Sequence, residues 1–469
     1  MSFLSFPLIS LGLGFLLVGA LWAFKSAKPR LPAIFGATAS FACFLRAAFE
    51  VSAAGHERLF DPWLKFFEAD ALDAVPMAFF AALTLGVLIL MPRRDATGKA
   101  LAGMLLLAAA TQTAYAAANL AVLATGWWLT SLPFVLRMFG EDRSQKVAQG
   151  FLIASSIALT VAIAVLHRIE IEEISHASNL AFTLIILAVA LRKGLFPLHG
   201  WMIRQFEFGP LLPVALLFNG HLGALLIARS ETTVLTLAEK HTLDLLSIIA
   251  LTTALITSIR GFAEKKPRRM LGLLCLSQAS FILAGIATDS AEGITGALVH
   301  WLVVAAASTG LIAIVRVLEV RVASSDDPDG HFGFAAKAPR LATFFLVCGL
   351  ALIGLPGTLG YCAEDLIFHG ALENHPWIGI ALPIATAFNA INLLRIFNIL
   401  FLGVLPRDVI DIPDALPRER WPLAFIAVFL IVGGIFPSKV LHWREEAAHG
   451  IEKGLGLDER ESGHAPAAH

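Results

Sequence analysis

The chain has 469 residues, of which 57% are hydrophobic and only 15% are charged, and its mean hydropathy is +0.75. Soluble domains carry about a quarter charged residues, so this composition excludes a soluble globular protein and indicates one that crosses a membrane many times. The formal net charge of −1 gives no electrostatic reason to expect binding to nucleic acid.

Apolar runs of the length needed to cross a bilayer, about 20 residues each, recur along the whole chain. We therefore predict an all-α polytopic membrane protein with about fourteen transmembrane helices. The predicted spans lie near residues 3–24, 31–49, 72–92, 98–117, 118–138, 147–166, 178–197, 210–228, 241–261, 269–287, 293–317, 341–360, 376–403 and 421–440. A single membrane domain over 1–440 and a short polar tail over 441–469, with a disordered end, complete the expected organisation.

The charges between these spans predict the orientation. Basic residues follow the odd-numbered spans, as at Arg93 and Arg94, whereas alternate loops are acidic or mixed, as at 57–73 and 170–173. Positively charged loops face the cytoplasm. We therefore expect both termini on the non-cytoplasmic side of a cell inner membrane.

The four cysteines are scattered through apolar segments and form no CxxC pair. This spacing is not that of a disulfide scaffold, an iron–sulfur site or a structural zinc site. We interpret them as small buried hydrophobic residues, and we expect no cofactor in this chain.

A first interrupted helix is predicted near 192–200. Arg192 and Lys193 end an apolar run, and Pro197 lacks the backbone donor that a continuous helix needs. Two cations at membrane depth indicate an ion or proton path, or a helix end whose side chains reach the interface. His199, just beyond, is either part of that path or a hydrogen-bonded structural histidine.

A second interrupted helix is predicted near 354–364, where glycines and Pro356 precede Glu364. A carboxylate at this depth must be paired or neutral, which suits a proton carrier, whereas Asp365 could face water. Two interrupted helices in separate halves of the chain indicate inverted repeats with a path between them.

Histidines lie well inside two further spans, at His221 and His300, and each has a packing role as its alternative interpretation. The functional hypothesis is a proton relay that runs through Arg192 or Lys193, His221, His300 and Glu364. Histidine titrates near neutral pH, whereas arginine keeps its proton and can act only as a fixed charge. Sodium is the alternative ion, although no oxygen-rich cluster is evident for it.

Four motifs resemble those of the proton-translocating antiporter-like subunits of respiratory complex I and of the Mrp-type cation antiporters. The resemblance covers roughly residues 65–405. The motifs are FEADALDA (67–74), FPLHGW (196–201), RRMLGLLCLSQ (268–278) and KAPRLATFFLVCGLALIGLPGTLGYCAEDLI (337–367). The resemblance implies an antiporter-like core of two inverted repeats. It also implies an aspartate before the third span, as at Asp70 or Asp73. From position alone, a solvated helix cap is the alternative role for these two aspartates.

The sequence also departs from the pattern that this resemblance implies. Trp128 takes the place of a glutamate in the fifth span, and Arg192 takes that of a lysine in the seventh, with Lys193 displaced by one residue. His221 falls where the eighth span carries a lysine. His300 remains from a group of ionisable residues in a later span, and Glu364 matches an ionisable position of the twelfth.

These departures lead to a first hypothesis and two alternatives. The first is the membrane subunit of a two-component, energy-coupled inorganic-carbon transporter. In it, a proton-conducting chain drives CO2 or bicarbonate uptake with a large cytoplasmic zinc protein resembling a carbonic anhydrase. The alternatives are an ion-pumping subunit of a membrane oxidoreductase, Mrp-type antiporter or membrane-bound hydrogenase, and a non-conducting scaffold. None of the three gives this chain a catalytic site of its own.

Overall fold

The computed structural model describes residues 2–167, 174–231, 241–321, 333–403 and 412–455. The predicted acidic loop at 170–173 and the polar end of the chain after residue 455 lie outside these ranges.

Helices dominate the first half of the described chain. Their bounds are α1 Leu8–Lys25, α2 Arg30–Ala53, α3 Ala74–Leu90, α4 Gly98–Tyr115, α5 Leu120–Leu129, α6 Leu132–Val135, α7 Arg143–His167, α8 Ile174–Lys193, α9 Gly200–Phe208, α10 Leu211–Asn219 and α11 Leu222–Glu231. The strands are short and pair in the order β1 (Ser2–Phe3), β2 (Leu59–Phe60) and β3 (Glu68–Ala69), with β1 parallel and β3 antiparallel to β2.

The second half is also helical. Its elements are α12 His241–Ala263, α13 Pro267–Ile286, α14 Ala291–Arg321, a 3-10 turn at Phe334–Ala336, α15 Pro339–Leu352, α16 Leu359–Asn374, α17 Pro376–Phe401, α18 Pro417–Ile435 and α19 Ser438–Leu455.

By length and composition, eight helical segments within the described ranges could each cross a membrane, one of them formed by α10 and α11 together, or nine if α18 and α19 count as one bent span. Shorter apolar helices, among them α3 and α15, add to these. The predicted all-α polytopic fold is confirmed, while the count of fourteen and the inverted-repeat relation remain predictions.

Both predicted helix interruptions are present. The first separates α8 from α9 over residues 194–199, around Pro197, and the second separates α15 from α16 over 353–358. Gly354 has a φ of +69°, a conformation that costs glycine little and other residues more. A further break, at Gly220 and His221, separates α10 from α11 inside a segment predicted as one span.

The core centres on α14, whose membrane-crossing window is entirely buried inside the protein. This helix packs against α3, α10, α13, α15, α16, α18 and α19. The windows of α1 and α2 are less than half buried, so these helices offer broad apolar faces to lipid or to another protein. Helix α14 is thus the scaffold on which ionisable groups from several helices meet.

Residues 441–455 of the predicted polar tail belong to helix α19, which turns away from α18 by 83°. Arg444 on this helix is fully buried and donates from Nη2 to the carbonyl oxygen of Leu72 (3.0 Å). A buried guanidinium needs such acceptors. Its contact ties α19 to the loop that precedes α3.

Candidate ion path

Arg192 and Lys193 are both buried at the end of α8, but their side chains reach different groups. The guanidinium of Arg192 lies over the ring of Trp127, 4.5 Å from its centroid, and donates to the hydroxyl of Thr130. Arg192 thus makes a cation–π contact with Trp127 and a hydrogen bond to Thr130. Arg192 therefore points toward α5 and the turn after it.

The ring against Arg192 is that of Trp127, the neighbour of the tryptophan singled out in the sequence. Trp128 is 38% exposed and donates from Nε1 to Thr160 Oγ1 (2.9 Å). Adjacent residues of a helix project about 100° apart, so Trp127 and Trp128 cannot both face α8. The resemblance to the family motif gave no means of choosing between the two rings. Among the described residues, no carboxylate forms an ion pair with Arg192 or Lys193.

Lys193 makes the first contact of the candidate path. Its Nζ lies 2.9 Å from Nδ1 of His221 and donates to the carbonyl oxygen of Phe218 (2.8 Å), while the ring of Phe218 lies beneath it. We call Lys193, Phe218 and His221 the cation cluster. An ammonium and an imidazole at hydrogen-bond distance can share or exchange a proton.

The break between α10 and α11 positions His221. Its φ of +41° is unusual for a residue with a side chain, and strain of this kind concentrates at functional sites. Tyr115 donates its hydroxyl to the carbonyl oxygen of Gly220 (2.5 Å), which fixes the break from α4. The ring of His221 packs edge-on against Trp301 of α14, with centroids 6.0 Å apart.

His300 lies next to Trp301 and faces α13. Its Nε2 lies 3.1 Å from the backbone carbonyl oxygen of Gln278, to which it can donate. The neighbouring Trp301 packs against His221, so this part of α14 lies next to the cation cluster. Within the described part of the chain, His221 Nε2 and His300 Nδ1 are buried without a hydrogen-bond partner.

Glu364 lies just after the second break, buried at 7% exposure. Thr386 donates to its Oε2 (3.1 Å). With the amide nitrogen of Gln278 turned toward it, that nitrogen lies 3.1 Å from both Glu364 Oε1 and His300 Nε2. We call His300, Gln278, Glu364 and Thr386 the carboxylate cluster.

The glycine of the break makes room for this carboxylate. A Cβ on Gly354 would lie 2.8 Å from Glu364 Oε2, closer than non-bonded atoms approach. Gly354 therefore meets two requirements at this position: it adopts the left-handed backbone conformation, and it leaves room for the Glu364 carboxylate. The glycine pattern predicted the break but gave no indication of this contact.

Asp70 and Asp73 form a buried ion-pair group with Arg229. Arg229 donates to Asp70 Oδ2 (2.5 Å) and to Asp73, whose side chain is fully buried. Asp73 is therefore not a solvated cap, whereas Asp70, whose side chain is 14% exposed, also accepts from the backbone N–H of Leu72 (2.9 Å). Burial demands such pairing, because an isolated charge would lose its hydration without compensation.

His199 lies apart from both clusters, at the end of the molecule where α12 meets α13. Arg260 donates to its Nε2 (2.8 Å), and the two line a small cavity of about 60 Å³ with Glu264 and Arg269. Within the described ranges, His199 makes no hydrogen bond or ion pair with the other proposed relay residues. Its place in the path remains a prediction.

An ion-pair group borders this cavity. Burial alone would raise the pKa of Glu207, but hydrogen bonds from Lys266 and Arg269 hold that pKa below its ordinary value. Arg269 also pairs with Glu264 at 2.6 Å. This arrangement places fixed charges of both signs near one end of α8 and α9.

Residues 117–389 match the model of a family described as "NADH:quinone oxidoreductase/Mrp antiporter, TM", which is more than half of the chain. The chain belongs to this family. The match confirms the resemblance to complex I and Mrp membrane subunits. The inorganic-carbon branch remains a prediction.

Relatives within the NADH:quinone oxidoreductase/Mrp antiporter family are distant in sequence. NADH-quinone oxidoreductase subunit N 1 of Chloroherpeton thalassium is 25% identical over 74% of this chain and 76% of its own length. Subunit M of Rickettsia bellii is 24% identical over 57% of this chain and 54% of its own length, so this match spans only about half of that relative.

Solved structures show the same fold at low identity. A chain of respiratory complex I from Thermus thermophilus superposes with a TM-score of 0.82 and 22% identity, covering 95% of this chain and 99% of that one. A chain of the Mrp complex from Dietzia sp. DQ12-45-1b gives 0.81 and 18%, covering 96% and 99%. These likenesses establish the fold alone.

Proposed function

We propose that this chain is the proton- or cation-conducting membrane subunit of a larger assembly of the complex I or Mrp type. The observation that carries the proposal is the pair of buried titratable clusters on either side of α14. Each cluster lies beside a helix interruption, the kind of irregular backbone that membranes tolerate where it packs in protein or lines a path. The names of the relatives favour this assembly over the alternatives.

Within the cation cluster, the proposed carrier is Lys193 together with His221. The ammonium and Nδ1 are 2.9 Å apart, so one proton can pass between them without a conformational change. Arg192 faces away from His221 and keeps its proton, so it supplies a fixed positive field. This division assigns different roles to two adjacent cations.

Transfer across α14 requires a bridge between His221 and His300. The buried nitrogens His221 Nε2 and His300 Nδ1 suit ordered water, because buried polar atoms need hydrogen-bond partners. A proton that arrives at Nδ1 of His300 allows the proton on Nε2 to leave, since neutral imidazole can carry its proton on either nitrogen. His300 is thereby the proposed crossing point of the path.

Gln278 controls the step between His300 and Glu364. The Nε2 of His300 either donates to the Gln278 backbone carbonyl or accepts from its side-chain amide. An amide does not titrate, so Gln278 orients both neighbours and does not carry the proton. The proton itself would pass from His300 Nε2 to Glu364 through water beside the amide. Glu364, hydrogen-bonded by Thr386, is the proposed acceptor near the exit.

The proposal is tested by reconstituting the purified full chain, with the subunits that accompany it, into liposomes that contain a pH-sensitive dye. An imposed membrane potential should drive acidification in proton buffers, and sodium should leave the rate unchanged. Dependence on sodium would assign the alternative ion. An assembled complex that conducts neither ion would support the scaffold alternative instead.

The second candidate function is uptake of inorganic carbon with a cytoplasmic zinc partner. The observation that favours it is the environment of Arg192, where Trp127 and Thr130 replace the carboxylate that the resemblance implies for pumping subunits. A tagged pull-down with mass spectrometry distinguishes the two candidates. A single large soluble zinc protein would support carbon uptake, whereas iron–sulfur or flavin subunits, or other antiporter subunits, would support the first proposal.

The proposed location is the cell inner membrane, with both termini on the non-cytoplasmic side. The chemistry of any redox or hydration reaction would belong to the partner, which is also where zinc would reside. Labelling of a single cysteine introduced beside the N-terminus, in intact cells, tests the orientation. Labelling only after the membrane is opened would contradict it.

A further inference from the structure

A continuous apolar groove runs along the outer surface of the protein between α2, α3 and α18. It consists of two cavities, of about 320 and 190 Å³, that share Phe41, Ala82 and Phe425. Along α3 the lining extends from Val75 to Ile89, about 21 Å at the rise of a helix. One bilayer leaflet has an apolar depth of about 15 Å, so the groove can hold an extended acyl chain.

Tryptophans mark both ends of this groove. Trp421, 78% exposed, lines one end and Trp443 lines the other. Tryptophan concentrates at the two interfaces of a membrane, where its ring is apolar and its N–H remains hydrated. The groove therefore follows the membrane normal from one interface toward the other.

The end beside Trp421 carries an excess of positive charge. Arg418 lines the groove there, and its charge and that of Arg93 lie close enough to Arg30 to repel it, while Glu419 attracts it. Glu419 lies 3.9 Å from Arg418 but already pairs with Arg321 at 2.5 Å. Thus one carboxylate is shared among several cations at this end.

Arg418 also has unused hydrogen-bonding capacity. Within the described part of the chain, its guanidinium donates no hydrogen bond, and its side chain is 32% exposed at the end of the groove. Arg30, in contrast, donates to the carbonyl oxygens of Leu88 and Ile89 at the end of α3, so its role is partly structural. A phosphate oxygen is the acceptor that a guanidinium binds best, with charge and hydrogen bonding together.

We propose that this groove is a specific binding site for an anionic phospholipid. One acyl chain lies along Ala82 and Phe425, and the headgroup phosphate lies against Arg418. The lipid fills the space between α18 and the α2–α3 pair, so it joins α18 to the rest of the domain. This site is independent of the proposed ion path, and its occupant is a lipid and not a partner helix.

The test uses native mass spectrometry of the full chain, delipidated and then titrated with phosphatidylglycerol or phosphatidylcholine. Wild type should bind phosphatidylglycerol more tightly. Arg418→Gln should weaken this binding about fivefold, since a basic group at a membrane surface contributes that much. Ala82→Phe, which fills the apolar part where both cavities meet, should abolish retention of either lipid.

Arg94→Gln is the matched control, because Arg94 is an exposed arginine in the same α3–α4 loop region as Arg93 but does not line the groove. It should bind phosphatidylglycerol as wild type does. Equal binding of both lipids would indicate annular lipid only, and an equal loss in Arg94→Gln and Arg418→Gln would indicate general surface charge. Either result, or a partner protein cross-linked from position 82 within the intact assembly, would overturn the proposal.

Discussion

Exchanging each of the two adjacent cations for methionine separates the proposed carrier from the proposed fixed charge. Lys193→Met removes the Nζ that contacts His221 Nδ1 and the Phe218 carbonyl oxygen. An unsatisfied buried acceptor costs about 1–3 kcal/mol, so two cost about 2–6 kcal/mol. Removing the buried charge also removes its desolvation cost of several kcal/mol, so the protein should remain folded.

The effect on transport should be far larger than the effect on stability. A positioned proton-transfer group contributes about 10²–10⁴-fold in rate, so Lys193→Met should lower proton flux about a hundredfold or more. Arg192→Met leaves the Thr130 hydroxyl bonded to the Trp127 carbonyl oxygen (2.6 Å) and touches no relay residue. Its flux should fall less than about tenfold, the effect of a charge that only tunes a neighbour by about one pKa unit.

The assay is dye-reported proton flux into proteoliposomes, normalised to folded protein by size-exclusion chromatography. The reasoning would be refuted if Arg192→Met abolished flux while Lys193→Met retained it. Equal and complete loss in both variants, with both still folded, would also contradict the separate roles.

Three further predictions test the surroundings of the path. Gln278→Met should lower flux at least tenfold without loss of the assembled protein, because the carboxylate cluster loses the amide that aligns it. Asp73→Asn should lower the free energy of unfolding by about 3 kcal/mol, as expected for one partner of a buried ion pair. As the control, Glu141→Gln, which changes an exposed carboxylate, should alter the free energy of unfolding by less than about 1 kcal/mol. Similar losses for the two variants in thermal denaturation would contradict a buried ion pair at Asp73. Finally, the lowered pKa of Glu207, beside Lys266, should stabilise the fold above pH 4.5, and this stabilisation should be lost as the pH falls below that value. The free energy of unfolding of Glu207→Gln should therefore fall less on acidification than that of the wild type.

The helix interruptions could be predicted because their causes are local. Pro197 lacks a backbone donor, and the glycines around 354–360 cost helix stability wherever the chain folds. The same local chemistry could not decide between Arg192 and Lys193. Which of two adjacent side chains faces His221 depends on how α8 is rotated against α11, and tertiary packing sets that rotation.

Contacts between residues far apart in the chain could not be predicted from the sequence. Arg229 and Asp70 are 159 positions apart, and nothing in either neighbourhood indicates that they meet. Gln278 ends the RRMLGLLCLSQ motif, but an uncharged amide in an apolar run does not titrate and so does not stand out as a candidate proton-path residue. Helix α19 did leave a signal, because Val440, Leu441, Ala447, Ala448 and Ile451 recur at helical spacing among charged residues.

The most direct test of the central claim compares Glu364→Gln with its neighbour Asp365→Asn in the same flux assay. Glu364 is buried in the carboxylate cluster, whereas the side chain of Asp365 is 45% exposed, so the pair changes the same chemistry in two environments. A proton path through Glu364 predicts loss of flux in Glu364→Gln and near-normal flux in Asp365→Asn. Full flux in an assembled Glu364→Gln complex would contradict the path.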